Sequence, residues 1–286
     1  MVTIIGIVVV CASVVGGFTI AGGQLMALFH VSEILTIVGT AVGTVLISTP
    51  PAVLGDLGKK LAATMQPPPY TRQLYLDALK MLYELFQLAR RDGLVAIESH
   101  IEGPEKSALF KKYPGVLKQH HAMVYLCDSL RLVLVGSVPP HDLEQLLGNE
   151  IDVHHEQETR TSASLQRVSD SLPGIGIVAA VLGIVVTMGS ISGPVEQIGE
   201  HVAAALTGTF LGVLLAYGFA SPLSTGIENN TAAEARFYSF LKEAIVAFAK
   251  GLSPIVAVEF ARRSVFHEHR PTFAAMEAAC KSLKAK

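Results

Sequence analysis

Ten histidines, three cysteines and 24 carboxylates are the titratable and nucleophilic stock of this 286-residue chain. The cysteines, Cys11, Cys127 and Cys280, are odd in number and fit no metal or disulfide spacing. They read as structural thiols in a reducing compartment. Two histidine pairs stand out, His120–His121 and His154–His155. Sequence neighbours point to different faces of a helix, so neither pair makes a two-ligand metal site, and solvated surface histidine is the plainer reading. Arg90, Arg91 and Glu98 flank Gly93. Such charges are most often a solvated face, but they could also steer a moving partner. Exposed ion pairs are individually weak, which suits a contact that must repeatedly break. No nucleophile–base pair, phosphate loop or metal-ligand spacing appears, which points away from an enzyme, a metal site or a cofactor. No basic excess points to nucleic acid.

The composition explains where chemistry is missing. Half the residues are hydrophobic and 16% are charged, with a mean hydropathy of +0.46. Soluble domains run nearer a quarter charged. A membrane-crossing helix needs about 20 apolar residues. Four charge-free runs have that length, predicting spans at 3–23, 34–54, 172–194 and 202–224. The first lacks a basic leader and is followed at once by the second, so it reads as a span and not a cleaved signal. Glu33, Asp170, Glu196, Glu200, His201 and Glu228 all fall at span edges. Inside, the sequence offers only hydroxyls: Thr40, Thr44, Thr187, Thr207 and Thr209. Proton paths normally use a buried ionisable group. Either the chain conducts nothing and serves as an anchor or scaffold, or it lines a path whose titrating group belongs to another chain.

The elements that must position these residues follow from the charges. All 22 Lys and Arg lie in 56–170 or after 228. The positive-inside rule then places the long loop and both termini in the cytoplasm. The expected fold is an all-α integral membrane protein with four transmembrane helices and a helical cytoplasmic domain inserted between spans 2 and 3. Its parts are a hairpin (1–55), the cytoplasmic domain (56–170), a second hairpin (171–227) and a cytoplasmic tail (228–286). After the breaker Pro67-Pro68-Pro69, an amphipathic helix is predicted over 71–92, on Leu74, Ala78, Met81, Leu82, Leu85 and Leu88. Gly93 ends or turns it. Further helices are expected over 94–101, 106–111, 115–136 and 141–158, the last capped by Asp142. Pro173 and Pro222 sit at the cytoplasmic ends of spans 3 and 4. Pro173 fits a helix start, whereas Pro222, some twenty residues into its span, bends or ends it. Gly39 and Gly43, like Gly208 and Gly212, have the four-residue spacing that lets helices approach closely in lipid, which points to an oligomer.

Two stretches carry a family resemblance. Asp170-Ser171-Leu172-Pro173-Gly174-Ile175-Gly176-Ile177-Val178-Ala179-Ala180-Val181-Leu182-Gly183 resembles the third span of MotA, the larger stator subunit of the bacterial flagellar motor. Gly208-Thr209-Phe210-Leu211-Gly212, continuing through Tyr217 to Pro222-Leu223, resembles its fourth. The tail adds Ala257 to Arg263 and Arg270-Pro271-Thr272-Phe273. The sequence departs at Gly174-Ile175, where many relatives carry Ala-Phe. The resemblance implies a pentamer in the bacterial inner membrane around two copies of a single-span MotB-type partner, whose aspartate takes up the ion. It implies rotation that passes torque to the rotor protein FliG. Arg90 and Glu98 match rotor-facing charges, Pro173 and Pro222 match prolines of conformational coupling, and Thr209 matches a hydroxyl facing the partner's aspartate. Ala180 stands where sodium-driven relatives carry threonine. Alanine cannot coordinate a dehydrating Na⁺, so the expected coupling ion is H⁺. The rival is an energiser of the ExbB or TolQ type, which generally has three spans and drives periplasmic work.

Overall fold

A computed structural model describes residues 2–284, the side chain of Lys284 excepted. Its helices are α1 (Val2–Ile20), α2 (Val31–Ser48), α3 (Pro51–Thr64), α4 (Arg72–Asp92), α5 (Glu98–Glu102), α6 (Pro114–Leu117), α7 (His120–Val135), α8 (Pro140–Gly189), α9 (Val195–Leu214), α10 (Ser221–Ala249), α11 (Pro254–Ser264) and α12 (Phe273–Lys284). There is no strand among the described residues. Four helical runs are long and apolar enough to cross a membrane: α1, Leu25–Ser48, α8 and Val195–Ala249. The chain divides into two compact units, one of residues 1–67 and 158–230, the other of 68–157 and 231–286.

The first unit holds the apolar runs. Nothing on α1 is buried, although its mean hydropathy is 2.4. Such a helix is stable only where lipid or another chain covers it. The span predicted over 34–54 stops at Ser48 because Pro50 cannot continue a helix; α3 restarts with Pro51 in its first turn. The small core of this unit is Ile37, Val168, Leu172, Ile175, Ala179 and Ala216. Lys60 and Glu158 add an ion pair at 2.7 Å, each side chain three-quarters or more buried.

The second unit is a helical domain with a conventional core. Thr71 caps α4 by accepting the Leu74 N–H at 3.3 Å. The expected apolar stripe, Leu74, Ala78, Met81, Leu82 and Leu85, is buried, with Leu88 partly so. Phe86 stacks on Phe248 with ring centres 4.3 Å apart. Helix α4 stops at Gly93, whose φ of +91° is costly for any residue with a Cβ.

Several local expectations need correction. The helix expected over 94–101 is a 3₁₀ turn, Leu94–Ile97, followed by α5. Residues 106–111 do not form a helix of their own; a short 3₁₀ turn covers Phe110–Lys112. The helix expected over 115–136 is interrupted at 118–119, between α6 and α7. The segment 141–158 and span 3 are one 50-residue helix, so Pro173 is internal and does not start a helix. Asp142 lies within the first turn of that helix, where its charge suits the dipole, and is not its cap.

Candidate functional site

Helices α8 and α9 approach closely, and the contact is made by residues without bulk. A Cβ built on Gly212 would fall 2.7 Å from the Leu172 carbonyl oxygen and 2.8 Å from Gly176 Cα. One on Gly176 would fall 3.0 Å from the Gly208 oxygen, and one on Gly183 2.9 Å from Ala205 Cβ. Gly208 and Gly212 are therefore consumed in packing within the chain, and the oligomer expected from their spacing does not rest on them. Gly39 and Gly43 have nothing within 4 Å.

This crossing brings two sequence-predicted residues together. Ala180 N lies 3.5 Å from the Cβ position of Gly208, and Thr209 Cα lies 3.4 Å from that of Gly176. Both residues are half-buried. The Thr209 hydroxyl bonds no other described residue, so it is available to a group from outside the chain.

Glu33 lies at the edge of its span, in the first turn of α2, but it is buried. It is only 5% exposed, and its Oε2 sits 2.8 Å from the Cβ position of Gly208, beside Ala179 and Ala180. The lack of a side chain at Gly208 leaves the room that the carboxyl occupies. Glu33, with Ser32, Thr36, Gly183 and His201, lines a cavity of about 270 Å³. The sequence signal was present, since Glu33 opens α2 one turn before the buried Ile37, on the same helix face.

One side-chain bond ties the turn before Pro173 to the segment before Pro222. Proline at 173 lacks the N–H that would bond the Ser169 carbonyl four residues earlier. The Ser169 hydroxyl itself donates to the Ala216 carbonyl at 3.0 Å, fully buried. Ala216 lies in a π-helical segment, Leu215–Ala220, that ends just before Pro222, and its carbonyl also accepts the Ser221 N–H. Such segments are frequent at functional sites because their hydrogen bonds are less regular. Sequence reasoning placed both prolines but missed Ser169. Pro222 is exposed and Pro173 half-buried.

Arg90 and Glu98, in the second unit, lie on either side of the Gly93 turn, both exposed and neither in an ion pair with a described residue. Arg91 is engaged locally with Asp92 at 2.7 Å. The tail motif does structural work in the same unit. Arg262 donates twice to Glu259, at 2.6 and 2.8 Å, and to the Pro271 carbonyl at 3.0 Å. These bonds, led by the one from Arg262, hold the Glu259 carboxyl below the usual carboxylate range. Arg270 donates to the Val265 carbonyl at 2.8 Å. Cys127 and Cys280 are buried, which pushes each thiol up to about 11, whereas Cys11 is exposed. His154 packs on Tyr238 with ring centres 4.8 Å apart, so it is not the free surface residue expected.

Four apolar helical runs, a glycine-lined crossing and a carboxyl buried beside it define a polytopic membrane protein. Comparison with known proteins narrows this. The Motility protein A N-terminal family matches residues 4–93, and the MotA/TolQ/ExbB proton channel family matches 117–239. The chain is 34% identical to Motility protein A of Escherichia coli K12, over 99% of its length and 96% of the relative's. It is 36% identical to chemotaxis protein LafT of Vibrio parahaemolyticus, over 96% of each chain. Its fold is similar to that of a chain in the Campylobacter jejuni MotAB structure, with a TM-score of 0.77 at 21% identity over 93% of this chain and 96% of that one. The chain belongs to the motility protein A family, the flagellar-motor stator subunits within the MotA/TolQ/ExbB proton channel group. The ExbB or TolQ alternative is not favoured, since relatives at this identity are motility and chemotaxis proteins.

Proposed function

We propose that this stator subunit is driven by protons and works in the bacterial inner membrane as a pentamer around two copies of a MotB-type single-span partner. The long loop and both termini then face the cytoplasm, where every Lys and Arg would lie. The observation that supports the reading is that Ala180 on α8 and Thr209 on α9, its hydroxyl unengaged, are both half-buried beside the glycines of the crossing. A hydroxyl there can bond a partner's aspartate in either protonation state, as donor or as acceptor. Alanine offers no oxygen to replace the water shed by Na⁺. The same crossing carries Pro173 and the Ser169–Ala216 bond towards Pro222, so a change in the partner's charge can bias the loosened helix ends. Arg90 and Glu98, exposed and unpaired on either side of a fixed turn, suit a contact with FliG that forms and breaks with each step.

The test is complementation. Expressed with its MotB-type partner in a bacterium lacking stator genes, the chain should restore swimming. Arg90→Glu with Glu98→Lys should remove most of that motility, and opposite charges on FliG should return part of it. Normal swimming by the double variant contradicts the rotor contact. Pro173→Ala should abolish torque while the complex still assembles in the membrane; loss of insertion would make Pro173 structural only.

A further inference from the structure

Among the described residues, three titratable side chains of the first unit are buried at one atom and lack a partner there: Glu33 Oε2, His30 Nδ1 and His201 Nδ1. They come from three places in the sequence. His30 ends the short connection before α2, Glu33 sits in the first turn of α2, and His201 lies two turns into α9. Glu33 and His201 line the same cavity, and His30 stands immediately before α2, three residues ahead of Glu33. An unpartnered carboxyl, 95% buried, is costly unless it is protonated or has a use for its free oxygen. The surroundings give no structural reason for it. α8 contributes to the cavity only Ala179, Leu182, Gly183 and Val186, with no charge. On α9 the other ionisable groups, Glu196 and Glu200, are exposed. α1 carries no charged side chain.

We infer that Glu33 is a proton-binding group on the ion path, served from the outer side by His30 and His201. The inference rests on the proton-driven reading above. It places a second carboxyl in the pathway, contributed by this chain, next to Ala180 and Thr209. Hydrated protons reach the cavity that His201 lines, and the unpartnered ring nitrogens of His201 and His30 offer them hydrogen-bonding positions. The proton binds the free Oε2 of Glu33, which neutralises the carboxylate and makes its burial cheap. It is then given up to the deprotonated carboxylate of the partner subunit, and Glu33 returns to its charged form. No other atom changes hands. Gly208 is part of this device, because any side chain there would occupy the Oε2 position.

The experiment uses the full chain with its MotB-type partner. Glu33→Gln keeps the size and hydrogen-bonding capacity of the side chain but cannot carry the proton. Swimming speed across external pH should fall several-fold and lose its dependence on pH, with membrane levels of the complex unchanged. Glu33→Asp should recover part of both. His30→Gln with His201→Gln should lower speed and leave the complex assembled. In the purified complex, infrared difference spectra between acid and alkaline pH should show a carboxylic-acid carbonyl band that disappears in Glu33→Gln. That readout holds even where the variant fails to swim. A Glu33→Gln variant with the speed and pH profile of the parent overturns the inference, as does a carboxyl band that never changes with pH. The underlying reading fails separately. If the parent's speed follows external Na⁺ and ignores a protonophore, the proton path is wrong whatever Glu33→Gln does.

Discussion

Adding one methyl group at Gly212 tests whether the α8–α9 crossing is as tight as its distances indicate. The Cβ of Gly212→Ala would lie 2.7 Å from the Leu172 oxygen and 2.8 Å from Gly176 Cα. Ordinary contact begins near 3.4 Å, so the helices must part by about 0.7 Å, and both obstacles are backbone that cannot rotate away. Overpacking of this kind costs about 1–3 kcal/mol. Against it stands the intrinsic helical gain of alanine over glycine, about 1 kcal/mol. The net expectation is a loss of up to about 2 kcal/mol, together with displacement of Ala180 and Thr209 from their shared position. Gly174→Ala is the control, since Gly174 is exposed in the same helix with nothing within 4 Å of its Cβ position. It keeps the helical gain without the clash. The assay is the thermal stability of the detergent-purified complex by size exclusion, paired with swimming speed in a stator-deficient host. Gly212→Ala should melt earlier and swim slowly, and Gly174→Ala should match or exceed the parent in stability. Equal melting of both variants would refute the argument, because it would mean that the crossing has slack.

Other expectations concern separate parts of the chain. Ser169→Ala removes the hydroxyl that bonds Ala216 and should leave assembly intact while lowering torque; tethered-cell rotation under load is the measurement, and unchanged torque would detach that bond from coupling. Glu259→Gln weakens the charge-assisted bonds to Arg262 and should cost the second unit about 1.5–3 kcal/mol. Because Glu259 titrates below the ordinary carboxylate range when folded, its contribution is fully present above that range and disappears as pH falls through the lowered value. Limited proteolysis of the tail should show this acid-side loss in the parent and much less of it in Glu259→Gln. Burial and a thiol pKa of about 11 should make Cys127 and Cys280 slow towards alkylating reagents until the complex is denatured, a contrast readable by mass spectrometry.

The sequence was most informative where one physical rule governs a long stretch. Long charge-free runs favour spans, and the Leu74–Leu85 periodicity favours a half-buried helix, so the architecture was legible. Helix ends were less so, because continuity through 158–172 depends on packing and not on a breaker. Pro173 illustrates this, since proline fits both a helix start and an interior kink and only tertiary contacts choose between them. Ala180 and Thr209 are far apart in sequence, and glycines that read equally well as an oligomer surface turned out to bring them together. Glu33 was visible at its span edge, but its burial was not. An acid at a span edge normally turns to water, and only the space left by Gly208, 175 residues away, draws this one inward. Ser169 carried no signal at all, because a serine one turn before a proline in a helix is unremarkable until its acceptor on another helix is known.

The central claim is that protons crossing this subunit and its partner drive the motor. Swimming speed in a stator-deficient host carrying the chain and its MotB-type partner tests it most directly, measured against external Na⁺ and against a protonophore. The account predicts speed that does not change with Na⁺ and collapses with the protonophore. Speed that rises with Na⁺ and survives the protonophore would contradict it.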